Sequence, residues 1–189
     1  WLPLLSLGVL AWLLDGWRHT ALAQGARQAW RPAAWLGGLF ATAWLAGTFW
    51  WIFIALHTYG GLPAVLSVVA VVTLAALLAI YYAAICGAFV ALAPVQPARA
   101  AIIFASLWLL AELARGVWLT GFGWGAVAYA QLNGPLIAYV PWIGMYGVCL
   151  LVAWWVMTLA QSMRWRGSAV ASVLAVAALV VPNLSGAPW

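Results

Sequence analysis

The chain has 189 residues, of which 69% are apolar and only 5% charged, against roughly 45–50% and 25% in a typical soluble domain, so water is excluded as its main solvent. Its net charge of +5 comes from arginines set between apolar runs. They form no continuous basic face, which excludes nucleic acid as a partner. Cys86 and Cys149 both lie inside apolar runs and support neither a disulfide framework nor a metal site.

No Asp, Glu, Lys or Arg occurs from 32 to 98, from 116 to 163, or from 167 to 189, room for about five membrane spans at ~20 residues each. The first apolar run, 1–14, reaches about 21 Å as a helix, short of the ~30 Å hydrocarbon core, and reads as a span cut off at its outer end. Residues 15–31 are polar, with Arg18, Arg27 and Arg31, and read as a loop. Pro32 can open the next helix, where its missing N–H would be unpaired anyway, and the second span runs from about 33 to 56. The turn His57-Thr58-Tyr59-Gly60-Gly61-Leu62-Pro63 then starts a long third span, from about 63 to 92, which Pro94 and Pro97 end. A fourth follows at about 100–119. Residues 120–135, rich in glycine and aromatics, are expected to be non-helical in part, before spans at about 136–161 and 168–181 and a stop at Pro182. The expected fold is an all-α polytopic membrane bundle, one domain over 1–189 with about six transmembrane helices, the first truncated.

Arg18, Arg27, Arg31, Arg99, Arg164 and Arg166 fall in alternate loops, which the positive-inside rule puts in the cytoplasm. The segments 57–62, 120–135 and 182–189 then face outward, as does Trp1. With both ends outside, a further helix upstream is expected to return the true N-terminus to the cytoplasm. The start, without Met or a basic n-region, resembles neither a native N-terminus nor a signal peptide.

Glu112 and Arg115 sit three apart on one face of the fourth span and are its only charges after Arg99. An ionisable group inside a membrane is a functional candidate by default; the structural alternative is an ion pair near the outer end, with Arg115 snorkelling toward lipid phosphate. His57, beside Thr58 and Tyr59 at an outer helix end, reads as a capping or interfacial group more readily than as a catalyst. The outer segment 120–131 mixes glycines with Phe122, Trp124 and Tyr129. It can cradle an acyl chain, or pack helices through Gly121 and Gly125 at GxxxG spacing. Of the 16 tryptophans, most fall near span ends as an aromatic belt, while Trp44, Trp50, Trp51, Trp108, Trp154 and Trp155 lie deeper. Buried thiols in apolar surroundings are inert. With no lysine, only Asp15 and Glu112 as acids, and no phosphate loop or metal constellation, neither a cofactor nor a complete catalytic arrangement is expected within the chain.

Four stretches, in order, resemble the transmembrane region of apolipoprotein N-acyltransferases: Trp50-Trp51 through His57-Thr58-Tyr59-Gly60-Gly61-Leu62-Pro63; Leu107-Trp108 through Glu112-Leu113-Ala114-Arg115-Gly116; Leu119-Thr120-Gly121-Phe122-Gly123-Trp124; and Gly144-Met145-Tyr146-Gly147. The resemblance implies a bacterial inner-membrane, multi-pass protein with both ends of this chain on the periplasmic side. It also implies transfer of an acyl group from a phospholipid donor to an enzyme cysteine, then to the N-terminal diacylglyceryl-cysteine of a lipoprotein. The family's Glu, Lys and Cys triad belongs to a nitrilase-like domain that follows the membrane helices. None of it can be carried over to this chain, which has no lysine. The expected partners are therefore a phospholipid acyl donor, a diacylated lipoprotein, the chain's own nitrilase-like domain and membrane lipids. His57, Tyr59, Glu112, Arg115, Thr120, Phe122 and Trp124 are the outer residues expected to contact lipid or dock that domain. The related alternative is the membrane anchor of a polyprenol-phosphate glycosyltransferase. A small transporter using Glu112 and Arg115 as a relay is a different class, disfavoured by the few scattered polar residues along the spans and by the lack of an internal repeat.

Overall fold

The structure is a computed structural model that describes residues 2–24, 28–92, 94–118, 121–132, 134 and 136–164. Its helices are α1 (Leu2–Gln24), α2 (Trp30–Thr48), α3 (Trp50–Ile54), α4 (Ala64–Leu92), α5 (Pro97–Val117) and α6 (Val140–Arg164). A π-helical turn, Ala55–Tyr59, follows α3, and two 3-10 turns, Val127–Gln131 and Ile137–Tyr139, precede α6. The fold is an all-α membrane bundle. Among the described residues, three stretches, Ala64–Leu92, Pro97–Val117 and Ile137–Arg164, are long and apolar enough to cross a membrane, and α2 with the Trp50–Tyr59 segment makes a fourth if that pair, bent by 53°, is one span. The expected span at 168–181 lies outside the described residues.

Small residues set the packing. On α2 the buried stripe is Ala33, Gly37, Ala41 and Leu45, and it meets Ala75, Ala79, Tyr82 and Cys86 of α4. A side chain at Gly37 would lie 2.5 Å from Cys86 Sγ and 3.1 Å from Tyr82 O. The two helices thus approach as closely as small residues at four-residue spacing allow, the usual device where apolar burial alone gives no drive between helices. On α5, Ala101, Phe104, Ala105, Trp108 and Ala111 face inward, and α6 closes the bundle with Val148, Cys149, Val152, Ala153, Val156 and Met157.

Several helix ends differ from the sequence expectation. Helix α1 continues ten residues past Leu14, because Asp15, Arg18 and His19 recur at helical spacing and neutralise one another: Arg18 is 2.7 Å from Asp15 and His19 3.5 Å from it. Asp15 and Arg18 are both fully buried, not loop residues. Helix α2 bends after Thr48, whose hydroxyl donates to Trp44 O at 2.9 Å, a contact that weakens helix continuity. In α6, Gly144 has φ 66° and ψ 179°, so the helix is broken there, and Ile137–Tyr139 ahead of it is a 3-10 turn. Gly121 and Gly125, at φ 74° and 79°, are left-handed loop positions, which overturns the GxxxG helix-packing reading.

Helix α4, at about 44 Å, is longer than the ~30 Å hydrocarbon core. Its first turns and the α3 segment project together from the bundle. Nothing in Trp50–Ile54 or Ala55–Tyr59 is buried, and Val65, Leu66, Val68, Val69 and Val72 of α4 are exposed.

Candidate functional site

The two acids of the chain each precede an arginine by three residues on a helix, and each pair is an ion pair of 2.7 Å with both side chains fully buried. Residues three apart share a helix face, so the local fold brings each pair together. The rest of the chain then uses the arginine's remaining donors.

At one end, Arg18 donates to the carbonyls of Pro94 and Val95 in the α4–α5 connection. Arg164, at the end of α6, joins the same cluster at 3.6 Å from Asp15, donates to Trp12 O at 3.0 Å and stacks on the Trp12 ring. Reading 15–31 as an exposed polar loop missed this cluster; the three- and four-residue spacing from Asp15 to Arg18 and His19 was the available signal.

At the other end, Arg115 is the hub. Its Nη2 donates to Glu112 Oε2 at 2.7 Å and its Nε to the Tyr82 hydroxyl at 3.0 Å. Nη1 donates to Phe122 O at 2.7 Å and Trp124 O at 2.5 Å. Glu112 Oε1 accepts from the Val127 amide at 3.4 Å, and the Phe122 amide donates back to Arg115 O at 2.8 Å. The segment after α5 is therefore folded back into the bundle, where Ala126, Val127, Ala128 and Gln131 are buried. Non-helical backbone at membrane depth requires such partners, since hydrocarbon supplies none. Gly125 makes the turn possible: its φ is left-handed, and a Cβ there would lie 2.7 Å from Thr48 Cγ2. Beneath the hub, Trp44, Tyr82 and Trp108 form an aromatic floor with ring centroids 5.1–6.1 Å apart.

The seven residues singled out from sequence divide accordingly. Glu112 and Arg115 are 1% exposed, so Arg115 does not snorkel to phosphate and the pair touches protein groups only. Phe122 packs edge-on to Phe49 at 4.9 Å. Trp124 is exposed and lies 5.9 Å from Trp51, joining the loop to the α3 segment. His57 is exposed; its Nδ1 is 2.8 Å from Leu62 O and its ring 5.3 Å from Phe53. Tyr59 is 85% exposed. Thr120 lies outside the described residues. Sequence reasoning missed Tyr82, which is 33 residues from its partner Arg115 and carries no local signature.

Among the described residues, the arrangement holds no nucleophile hydrogen-bonded to a base. Cys86 and Cys149 are buried free thiols; Cys149 lies near the Glu112–Arg115 pair and the backbone of Val127 and Ala128. What it does form is a surface of aromatic side chains at one end of the bundle, backed by a buried charge pair.

The family model of the apolipoprotein N-acyltransferase N-terminal domain matches residues 1–158. An apolipoprotein N-acyltransferase of Verminephrobacter eiseniae is 52% identical over 153 residues, covering 81% of this chain and 27% of the relative. One from Ralstonia nicotianae is 36% identical over 156 residues, covering 81% and 28%. One from Pseudomonas putida is 35% identical over 161 residues, covering 84% and 31%. The chain thus spans about three-tenths of the length of these curated relatives. It belongs to the apolipoprotein N-acyltransferase family, within that family's N-terminal membrane domain.

Proposed function

We propose that this chain is the membrane platform of an enzyme that moves an acyl chain from a phospholipid to the N-terminal diacylglyceryl-cysteine of lipoproteins in the bacterial inner membrane. The catalytic groups belong to a periplasmic nitrilase-like domain of the same protein. The platform's contribution is to hold that domain at the outer leaflet and to admit two lipid substrates sideways, which raises their effective concentration at the reacting thiol.

The observation that carries this reading is the loop stapled by Arg115. It fixes Trp124 against Trp51 at the end of the bundle that bears the projecting α3–α4 hairpin. An aromatic surface on a rigid mount is suited to acyl chains on one side and a docked domain on the other. His57 and Tyr59 extend that surface, Phe122 anchors it from below, and Glu112 with Arg115 acts from behind it. The positive-inside rule supports this end facing outward, because Arg18, Arg31, Arg99 and Arg164 lie toward the opposite end.

The test is acyl transfer from phospholipid to a diacylated lipopeptide by the full-length protein in nanodiscs, with His57, Tyr59, Trp51 and Trp124 replaced together by alanine. A rate lower by about tenfold or more, equivalent to ~1.4 kcal/mol of lost substrate or domain positioning, is expected at unchanged expression. Normal turnover in that variant would overturn the assignment.

A further inference from the structure

Between α2 and α4, at the end remote from the stapled loop, runs a groove of about 620 Å³. Its floor is made of small residues: Ala34 and Gly38 on α2, Ala76, Ala79 and Ala83 on α4. Gly38 and Ala83 are in contact, for a Cβ on Gly38 would lie 3.3 Å from that of Ala83. The rim is Trp35, Leu39 and Ile80, exposed by 74%, 63% and 61%. Thr42 closes the far end, and its hydroxyl is already bonded to Gly38 O at 2.8 Å, so the groove is apolar throughout. Arg31 stands at its mouth. From there to Thr42 is about 16 Å of helix, half the ~30 Å hydrocarbon core, the depth of one leaflet.

Arg31 is exposed, and its guanidinium lies over the Trp30 ring at 5.6 Å. A guanidinium in cation–π contact with an indole keeps N–H donors free, and these suit a phosphate. No carboxylate side chain is left to meet it: Asp15 and Glu112 are the acids of the chain, and each is bound 2.7 Å from another arginine. A second apolar groove, about 450 Å³ between α1 and α6, differs on this point, because Arg164 near it is committed to Asp15 and Trp12 O.

We propose that the α2–α4 groove holds one anionic phospholipid of the arginine-bearing leaflet, with its phosphate on Arg31 and one acyl chain along Gly38 and Ala79. Zwitterionic phospholipids share the phosphate, but the excess of arginine at this end favours a net negative headgroup. The site is separate from the outer surface assigned to acyl transfer, and it rests on the chain's place in a bilayer, not on that activity.

The experiment uses the full-length protein in phosphatidylcholine nanodiscs doped with phosphatidylglycerol that carries a mid-chain diazirine. After illumination, labelled peptides are mapped by mass spectrometry. Label is expected on Trp35, Leu39 and Ile80 above other lipid-facing positions. It is expected to fall by about fivefold in Arg31→Gln, which removes a charge-assisted contact, and in Gly38→Leu, which fills the groove with Arg31 intact. Acyl-transfer rates of the same preparations report that each variant is folded. Even labelling around the bundle, labelling unchanged by Arg31→Gln, or equal labelling by diazirine phosphatidylcholine would each overturn the proposal.

Discussion

Replacing Arg115 by Met in the full-length protein keeps much of the side chain's volume and removes all of its donors. Glu112 is then left 1% exposed, with the Val127 amide still donating to it at 3.4 Å but no cation beside it. Phe122 O and Trp124 O lose the guanidinium that meets them. Stranding one member of a buried pair costs about 3–5 kcal/mol. Glu112→Gln is milder: Arg115 keeps Tyr82 and the two carbonyls as acceptors, and the loss is about 1.5–3 kcal/mol, as for one hydrogen bond to a charged group. The double variant Glu112→Leu, Arg115→Met removes both charges and is expected to be less destabilised than Arg115→Met alone, though still below the parent because the loop carbonyls remain unmet. Hydrogen exchange of residues 121–131 in nanodiscs reads this directly, since local opening carries its own free energy. Arg115→Met is expected to speed exchange of the Phe122 and Val127 amides by about a hundredfold or more, at ~1.4 kcal/mol per decade. If those amides stay as protected as in the parent, or if the double variant is no more stable than Arg115→Met alone, the stapled-loop reading is wrong.

Three further outcomes are expected. Gly125→Ala forces a side chain into a left-handed conformation, at about 1–2 kcal/mol, and against Thr48 Cγ2; thermal unfolding of the full-length protein shifts down, and Thr48→Ser recovers part of the shift, which a mechanism independent of Thr48 would not permit. Arg18→Gln leaves Asp15 buried and frees the carbonyls of Pro94 and Val95. The cost is about 3–5 kcal/mol, seen as faster protease cleavage at residues 94–96 from the arginine-bearing side; an unchanged cleavage rate refutes that bracket. Replacing Cys86 and Cys149 together by alanine removes two buried thiols and is expected to leave acyl transfer intact, whereas its loss would place one of them in the chemistry.

The helices most legible in the sequence are those bounded by backbone chemistry. The stretch expected at 63–92 contains helix Ala64–Leu92, which Gly60, Gly61 and Pro63 open and Pro94 closes. The Glu112–Arg115 pair was legible from its spacing, and the structure adds that it is buried. Less legible was the far half of α1. There charged residues were weighed singly as loop signals, while the Asp15–Arg18 spacing repeats that of Glu112–Arg115 and carries the same meaning. The partners of Arg115 in the loop were not legible at all. They are carbonyl oxygens of Phe122 and Trp124, and a backbone acceptor has no residue type to betray it. The misread GxxxG has the same origin: glycine spacing records where the chain is small, and only φ distinguishes a helix contact from a left-handed turn.

The presence of a fully buried charge in so apolar a chain follows from the loop rather than the reverse. A helix through residues 121–126 would have satisfied its own carbonyls, and an apolar residue at 115 would then have served. Once the chain turns back at Gly121 and Gly125, the carbonyls of Phe122 and Trp124 point into the bundle, where leaving each unmet costs about 1–3 kcal/mol. Among side chains, arginine alone offers donors at several angles from one planar group, and it reaches both carbonyls with Nη1 while Nε and Nη2 remain for Tyr82 and Glu112. The glutamate is then required to offset the arginine's charge, and the Val127 amide helps to satisfy the glutamate. Each polar residue of the hub is thus called for by the one before it, beginning with a backbone that leaves the helix inside the bundle.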